Sequence, residues 1–178
     1  MARRPTLPFD PIAEARRNWS NADWGEAAEG MALVTSVMRA HQILLARVDE
    51  ALSPFELTFA RYEALMLLVF SSRGKLPLGK IGERLQVHPA SVTNVIDRLE
   101  QHALVRRERH PTDQRTTLAA ITPQGRRLAK RASEALNAAV FSQPGVGGGR
   151  VQELFDGLAE LRRSAGDFED STERSSTF

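Results

Sequence analysis

The chain of 178 residues contains no cysteine, which removes disulfides, thiolate metal sites and thiol redox switches from consideration. Long apolar runs are missing too. None approaches the roughly 18 residues of a membrane span, and Arg3 and Arg4 are not followed by the apolar core of a signal peptide, so a soluble, cytoplasmic protein without a membrane partner is expected. The four histidines, His41, His88, His102 and His110, are too scattered for a metal cluster, and none has a carboxylate at ligand spacing. They read as packing or surface residues. No nucleophile stands beside a base, so neither an enzyme nor a cofactor is expected. Gly145-Val146-Gly147-Gly148-Gly149-Arg150 looks like a phosphate cradle, but no strand precedes it and Arg150 falls where the last glycine of GxGxxG would be. A flexible connection between helices accounts for it. At this length the chain is one domain, or one domain with an extension, and it can bury a proper core.

Charge of one sign is scarce overall but not locally. Lys75 to Arg131 carries 12 Lys and Arg against 5 Asp and Glu, a net of +7, while the rest carries 12 against 17, a net of −5, giving the total of +2. A basic centre between acidic flanks suits counterion release at a nucleic-acid surface and limits non-specific adhesion elsewhere.

The centre also carries the most informative pattern. Leu78 to Leu85 predicts a short helix with Ile81 and Leu85 inward, Gln86-Val87-His88 a three-residue turn, and Pro89 to Gln101 a second helix. In that second helix Val92, Val95, Ile96 and Leu99 form the apolar stripe, with Pro89 at the first helical position, where its missing donor is harmless. Its other side carries Ala90, Asn94 and Gln101, flanked by Ser91, Arg98 and Thr93. An ordinary amphipathic helix is one reading. However, a solvated face is usually rich in Lys and Glu, whereas short hydroxyl and amide side chains let a backbone approach base edges, and Asn can pair with adenine bidentately.

Two short strand patterns follow, Leu104 to Glu108 and Thr116 to Ile121, joined by His110-Pro111-Thr112-Asp113. Arg106, Arg107, Arg109 and Arg115 fall within ten residues, opposed only by Glu108 and Asp113. Such a hairpin favours phosphate or minor-groove contact over a solvated ribbon. Helix, tight turn, helix, basic ribbon and a new helix at Thr122-Pro123 together make a winged helix-turn-helix, whose default function is reading double-stranded DNA. The DNA contacts expected are Pro89, Ala90, Ser91, Thr93, Asn94, Arg98, Arg107, Arg109, Asp113 and Arg115. In this reading Ser91, Thr93 and Asn94 read bases, Arg98 and Arg107 hold phosphates, Arg115 enters a minor groove, and Asp113, on the same strand face, holds the Arg115 guanidinium extended.

The flanks are helical. Trp24 to Leu52 is apolar on more than one face through Leu33, Val34, Val37, Met38, Ile43, Leu44, Leu45 and Val48. Phe59 to Phe70 places Tyr62, Leu65, Met66 and Val69 at i, i+3, i+4 and i+7. Pro123 to Phe141, capped by Thr122, carries Leu128, Ala132, Ala135, Leu136, Ala139 and Val140, and Arg150 to Ala165 carries Val151, Leu154, Phe155, Leu158 and Leu161. Terminal helices with this much apolar cover are buried most simply by a second copy, as a two-fold homodimer.

The runs Ala90-Ser91-Val92-Thr93-Asn94-Val95-Ile96-Asp97-Arg98-Leu99-Glu100, Leu104-Val105-Arg106-Arg107, Asp113-Gln114-Arg115 and Ile121-Thr122-Pro123-Gln124-Gly125-Arg126 resemble the MarR family of transcriptional regulators over about Met31 to Phe168. The resemblance implies a homodimeric, ligand-responsive regulator, a repressor more than an activator, binding a pseudo-palindromic operator and released by a small aromatic or anionic effector. The alternative is a small-molecule binding protein of the same fold that has lost operator recognition. The implied fold class is mainly α, a winged helix-turn-helix with a two-stranded β-wing flanked by N- and C-terminal dimerisation helices. Its parts are a flexible N-terminus at 1–10, an extension helix and first dimerisation helix at 11–57, the DNA-binding domain at 58–122, C-terminal dimerisation helices at 123–168 and a flexible tail at 169–178.

Pro11 to Trp19 further resembles the extra helix of the subgroup that responds to urate and related anions, with Trp19 at the place of its pocket tryptophan. That subgroup's pocket Asp and recognition-helix Arg correspond here to Glu63 and Val95, so a urate-type anion loses its main electrostatic partner although Arg106 is retained. The implied effector is an aromatic or phenolic acid, in a pocket of Trp19, Met38, His41, Tyr62, Glu63, Met66 and Arg106. Packing of the added helix through Trp19 and Trp24, and plain core roles for the others, explain the same residues.

Overall fold

The computed structural model describes residues 6–169, so the mobility expected of the outermost termini lies largely outside the described residues. Packing divides the chain into two compact units, one running to Arg47 and one from Val48. The fold is mainly helical with one small antiparallel sheet, the winged helix-turn-helix expected from the sequence.

In the first unit, helix α1 (Pro11–Ser20) starts at Asp10, whose carboxylate accepts the Ile12 N–H at 2.9 Å, with Pro11 at the first helical position. A 3₁₀ turn (Gly25–Ala27) precedes α2 (Ala28–Leu52), so this long helix begins four residues later than the apolar pattern suggested. Trp19 and Trp24 pack together with ring centroids 5.4 Å apart and planes inclined by 47°. Leu33, Val34, Met38, Ile43, Leu44 and Leu45 along α2 are exposed.

The second unit holds the core. The end of α2 contributes Val48 and Leu52, and after a 3₁₀ turn (Ser53–Phe55) helix α3 (Phe59–Phe70) buries Tyr62, Ala64, Leu65 and Leu68. Thr58 caps α3 by accepting the Arg61 N–H. Helices α4 (Leu78–Leu85) and α5 (Pro89–Gln101) bury Ile81, Val92, Ile96 and Leu99 in the same core, as their 3.6-residue periodicity requires. The turn between them is set by Gln86 in the left-handed region at φ 52°.

The wing has three strands where the sequence suggested two: β1 (Lys75–Pro77), β2 (Val105–Arg109) and β3 (Thr117–Ile121), in the order β1-β3-β2. β1 escaped notice because three residues ending in proline show no alternation. Its pairing makes β3 the central strand, with Lys75 opposite Ala120 and Pro77 opposite Leu118, and this explains why Leu118, Ala119, Ala120 and Ile121 are all buried.

Helix α6 (Pro123–Leu136) opens against the base of the wing. Thr122 Oγ1 accepts the Gly125 N–H at 3.0 Å and donates to the Ala103 carbonyl at 2.8 Å. A side chain at Gly125 would place its Cβ 2.1 Å from the Leu104 carbonyl oxygen, so the Thr-Pro-Gln-Gly run is a cap and a close approach at once. The expected single helix to Phe141 ends earlier, in a π turn (Asn137–Phe141). Helix α7 (Arg150–Ser164) buries nothing and exposes Val151, Leu154, Phe155, Leu158 and Leu161.

Candidate nucleic-acid interface

Helix α5 starts with His88, whose Nδ1 accepts the Ala90 N–H at 3.2 Å, followed by Pro89. With Val92, Ile96 and Leu99 committed to the core, Pro89, Ala90, Ser91, Thr93, Asn94 and Arg98 are exposed. The Thr93 hydroxyl donates to the Pro89 carbonyl at 3.2 Å, which turns its lone pairs outward. Among the described residues the Asn94 carboxamide has no partner, so both its donor and its acceptor are available. Apart from Arg98 this face is neutral, short-chained and polar, and such a face can bond base edges in a major groove.

Beside it lie Thr58 and Arg61 from the start of α3. With Ser91, Asn94, Val95 and Arg98 they line a shallow hollow, and sequence reasoning missed both. The signal available was the N-cap threonine at the head of an apolar helix, which places positive helix-end dipole and a cation together.

The four wing arginines separate into two pairs. Arg107 is half-buried and held by the protein itself. Its guanidinium donates at 2.5 Å to both Asp97 and Glu100 on α5, and its backbone N–H donates to Glu100 at 2.8 Å. Burial opposes the charge, but hydrogen bonds and attraction from Asp97 and Glu100 outweigh it and hold the guanidinium above its ordinary value. Arg107, expected at a phosphate, forms an internal clamp between α5 and the wing in this structure, because two acids on α5 face β2. Arg106 is similarly engaged, at 2.7 Å from Glu108, which also accepts from Lys75 at 3.0 Å across the sheet. The hydrogen bond from Lys75, then that from Arg106, lowers the Glu108 carboxyl below its usual range.

Arg109 and Arg115, by contrast, are exposed and have no partner for their guanidinium groups among the described residues. The loop between them is ordered from within. His110 Nδ1 accepts the Asp113 N–H at 3.2 Å, and the Thr116 N–H returns to the Asp113 carbonyl at 3.0 Å. Asp113 does not hold the Arg115 side chain: both residues lie in the loop, not on a strand face, and its carboxylate accepts the Arg115 backbone N–H at 3.0 Å and the Thr116 hydroxyl at 2.6 Å. These bonds, the Thr116 hydroxyl first, lower its pKa. Asp113 is a turn-forming Asx residue that aims the backbone of Arg115.

The residues expected to line an effector pocket divide between the two units. Trp19 is half-buried against Trp24, and Met38 and His41 are exposed on α2. In the second unit the Tyr62 hydroxyl meets Ser133 Oγ at 3.0 Å, Ser133 contacts the Met66 sulfur at 3.4 Å, and Phe59 stacks on the Tyr62 ring. Tyr62 is therefore a satisfied core residue. Glu63 is half-buried, which raises its pKa. Arg106 is bound to Glu108. Among the described residues no cluster suits a metal ion, and no helix is long and apolar enough to cross a membrane.

This geometry defines a winged helix-turn-helix regulator, and comparison with known proteins gives its family. The MarR family model matches residues 57–117, from the segment before α3 to the start of β3. The HTH-type transcriptional regulator YhbI of Bacillus subtilis, itself uncharacterized, is 31% identical over 120 residues, covering 67% of this chain and 72% of the relative. The crystal structure of Sco5413, a MarR family transcriptional regulator from Streptomyces coelicolor, aligns with a TM-score of 0.72 and 48% identity over 80% of this chain and 99% of that one. Sco3205 from the same organism, solved in complex with DNA, aligns with a TM-score of 0.66 over 85% of this chain and 94% of its own, and at 23% identity it shows the fold alone. The chain belongs to the MarR family of transcriptional regulators.

Proposed function

We propose that the chain is a homodimeric repressor that binds a pseudo-palindromic operator and is released by a small anionic or aromatic molecule. The observation that carries the DNA-binding part is the outer side of α5. Apart from Arg98 its exposed residues in the first three turns are short and neutral, and among the described residues its Asn94 carboxamide is free and the wing presents two unpaired guanidinium groups. Ser91, Thr93 and Asn94 read base edges, Arg98 and Arg61 hold phosphates, and Arg109 and Arg115 reach the flanking minor groove. The fold shared with Sco3205, which was solved in complex with DNA, supports DNA binding as such. Dimerisation is supported by the exposed apolar residues of α7 and, separately, of α2, which in water alone would leave several large side chains without cover.

One reading head per subunit and two-fold symmetry set the test. Footprinting on the upstream region of the protein's own gene should show two half-sites with centres about 10 bp apart, protected together by a dimer. Protection of one unrepeated half-site by a monomer would contradict the proposal. Asn94→Ala should cost about 1 to 3 kcal/mol at one base position and relax the preference there.

A further inference from the structure

A cleft of about 640 Å³ opens between the turn after α2, the end of α5 and the first half of α6. Four arginines line it: Arg61, Arg98, Arg127 and Arg131, with His102 beside them and Glu56 as the only carboxylate. Among the described residues none of the four is paired with an acid. Arg61 donates to the Glu56 backbone carbonyl at 3.1 Å, Arg98 to the Gln101 side chain at 3.2 Å, and Arg131 lies over the Phe55 ring at 5.6 Å. Arg127 has no partner among the described residues. Elsewhere in this unit arginines that meet acids are neutralised, as Arg107 is by two carboxylates. Four guanidinium groups against one carboxylate around one concavity repel each other, and an anion that accepts several of them relieves that repulsion.

We propose that this cleft binds a small organic polyanion, a flat-ringed molecule bearing two or more phosphate or carboxylate charges. The volume lies in the range of small-molecule pockets. Phe55, Pro54 and Leu128 supply an apolar wall, and Arg131 already lies over the Phe55 ring in a cation–π contact. Resting on the DNA-binding function proposed above, the site also has a route to regulation. Arg61 and Arg98 line both this cleft and the hollow that contains Ser91 and Asn94, whereas Arg127 and Arg131 line the cleft alone. An anion in the cleft therefore draws two phosphate-holding cations away from the operator. The expected effector site comprised Trp19, Met38, His41, Tyr62, Glu63, Met66 and Arg106, and this cleft is lined by none of them.

Calorimetry on the full-length, DNA-free protein tests the site, with ADP as the phosphate probe and phthalate as the carboxylate probe. At least one should saturate, and the better binder identifies which charged group the cleft takes. Arg127→Gln should weaken that probe about tenfold, the size of one charge-assisted contact. The double variant Arg127→Gln/Arg131→Gln should abolish measurable binding while melting as the wild type does. No saturation by either probe at millimolar concentration, or unchanged binding by the double variant, overturns the proposal. Fluorescence anisotropy with operator DNA at fixed ionic strength separates this from the DNA-binding proposal. The probe should lower operator affinity of the wild type and not of the double variant, whose affinity without probe should match the wild type. Loss of operator affinity by the double variant alone would make the cleft a DNA-phosphate seat and overturn the effector role. Absence of operator binding by the wild type would refute the DNA-binding proposal, while calorimetry still decides the site.

Discussion

The base and the tip of the wing carry the same side chain and put it to opposite uses. At the base, Arg106 and Arg107 are engaged by Glu108, Asp97 and Glu100. At the tip, the guanidinium groups of Arg109 and Arg115 have no acid partner among the described residues. Local arginine density is thus a poor count of free guanidinium groups. What decides is whether the fold turns a carboxylate toward the guanidinium, and at the base α5 supplies two, three residues apart on the side facing β2.

The largest effect expected is at the foot of the base. Gly125→Ala forces a Cβ into the Leu104 carbonyl and should cost about 3 kcal/mol or more, read as a lower urea midpoint. Arg107→Ala should come next, at about 1 to 2 kcal/mol, a range reduced for the partial exposure of both acids it leaves unpaired. Arg115→Ala should leave stability within about 0.5 kcal/mol, since nothing inside the protein uses the side chain. A stability loss at Arg115 equal to that at Arg107 would erase the distinction between base and tip.

Much of this fold is visible in the residues themselves. The Val92, Ile96 and Leu99 stripe fixes which side of α5 is free, and Thr122-Pro123 with Gly125 marks the start of α6. What was hidden depends on long-range pairing. β1 is too short to show a period, and its existence follows only from its partner β3. The fate of Arg107 rests on Asp97 and Glu100, which a charge count over the hairpin leaves out. The arginine cleft joins residues from positions 61, 98, 127 and 131, on three elements, so no window of sequence contains it. The pocket foreseen around Tyr62 met the opposite difficulty, because a tyrosine suited to a ligand is equally suited to Ser133.

Two smaller effects sharpen the comparison. Asp113→Ala removes an acid from the loop proposed to face DNA, so charge counting predicts tighter operator binding. The turn it forms with Arg115 and Thr116 predicts weaker binding instead, by about threefold, as the loop loses order. Fluorescence anisotropy at one salt concentration gives the sign. The smallest effect is on acid stability. The Glu108 carboxyl titrates lower in the folded protein than in the unfolded chain, so its contribution is complete above the unfolded value, about 4.3, and is lost as pH falls through the lower folded value. Glu108→Gln should flatten the acid limb of the stability curve and leave the neutral region nearly unchanged. An equal slope in wild type and variant would show that Lys75 and Arg106 contribute nothing through it.

The salt dependence of operator binding, compared between Arg115→Ala and Arg107→Ala at a temperature where both are folded, tests the central claim most directly. If the tip arginine meets DNA and the base arginine serves the protein, the slope of log K against log salt should fall by about one unit in Arg115→Ala and stay at the wild-type value in Arg107→Ala. A reduced slope in Arg107→Ala with an unchanged slope in Arg115→Ala would contradict the account.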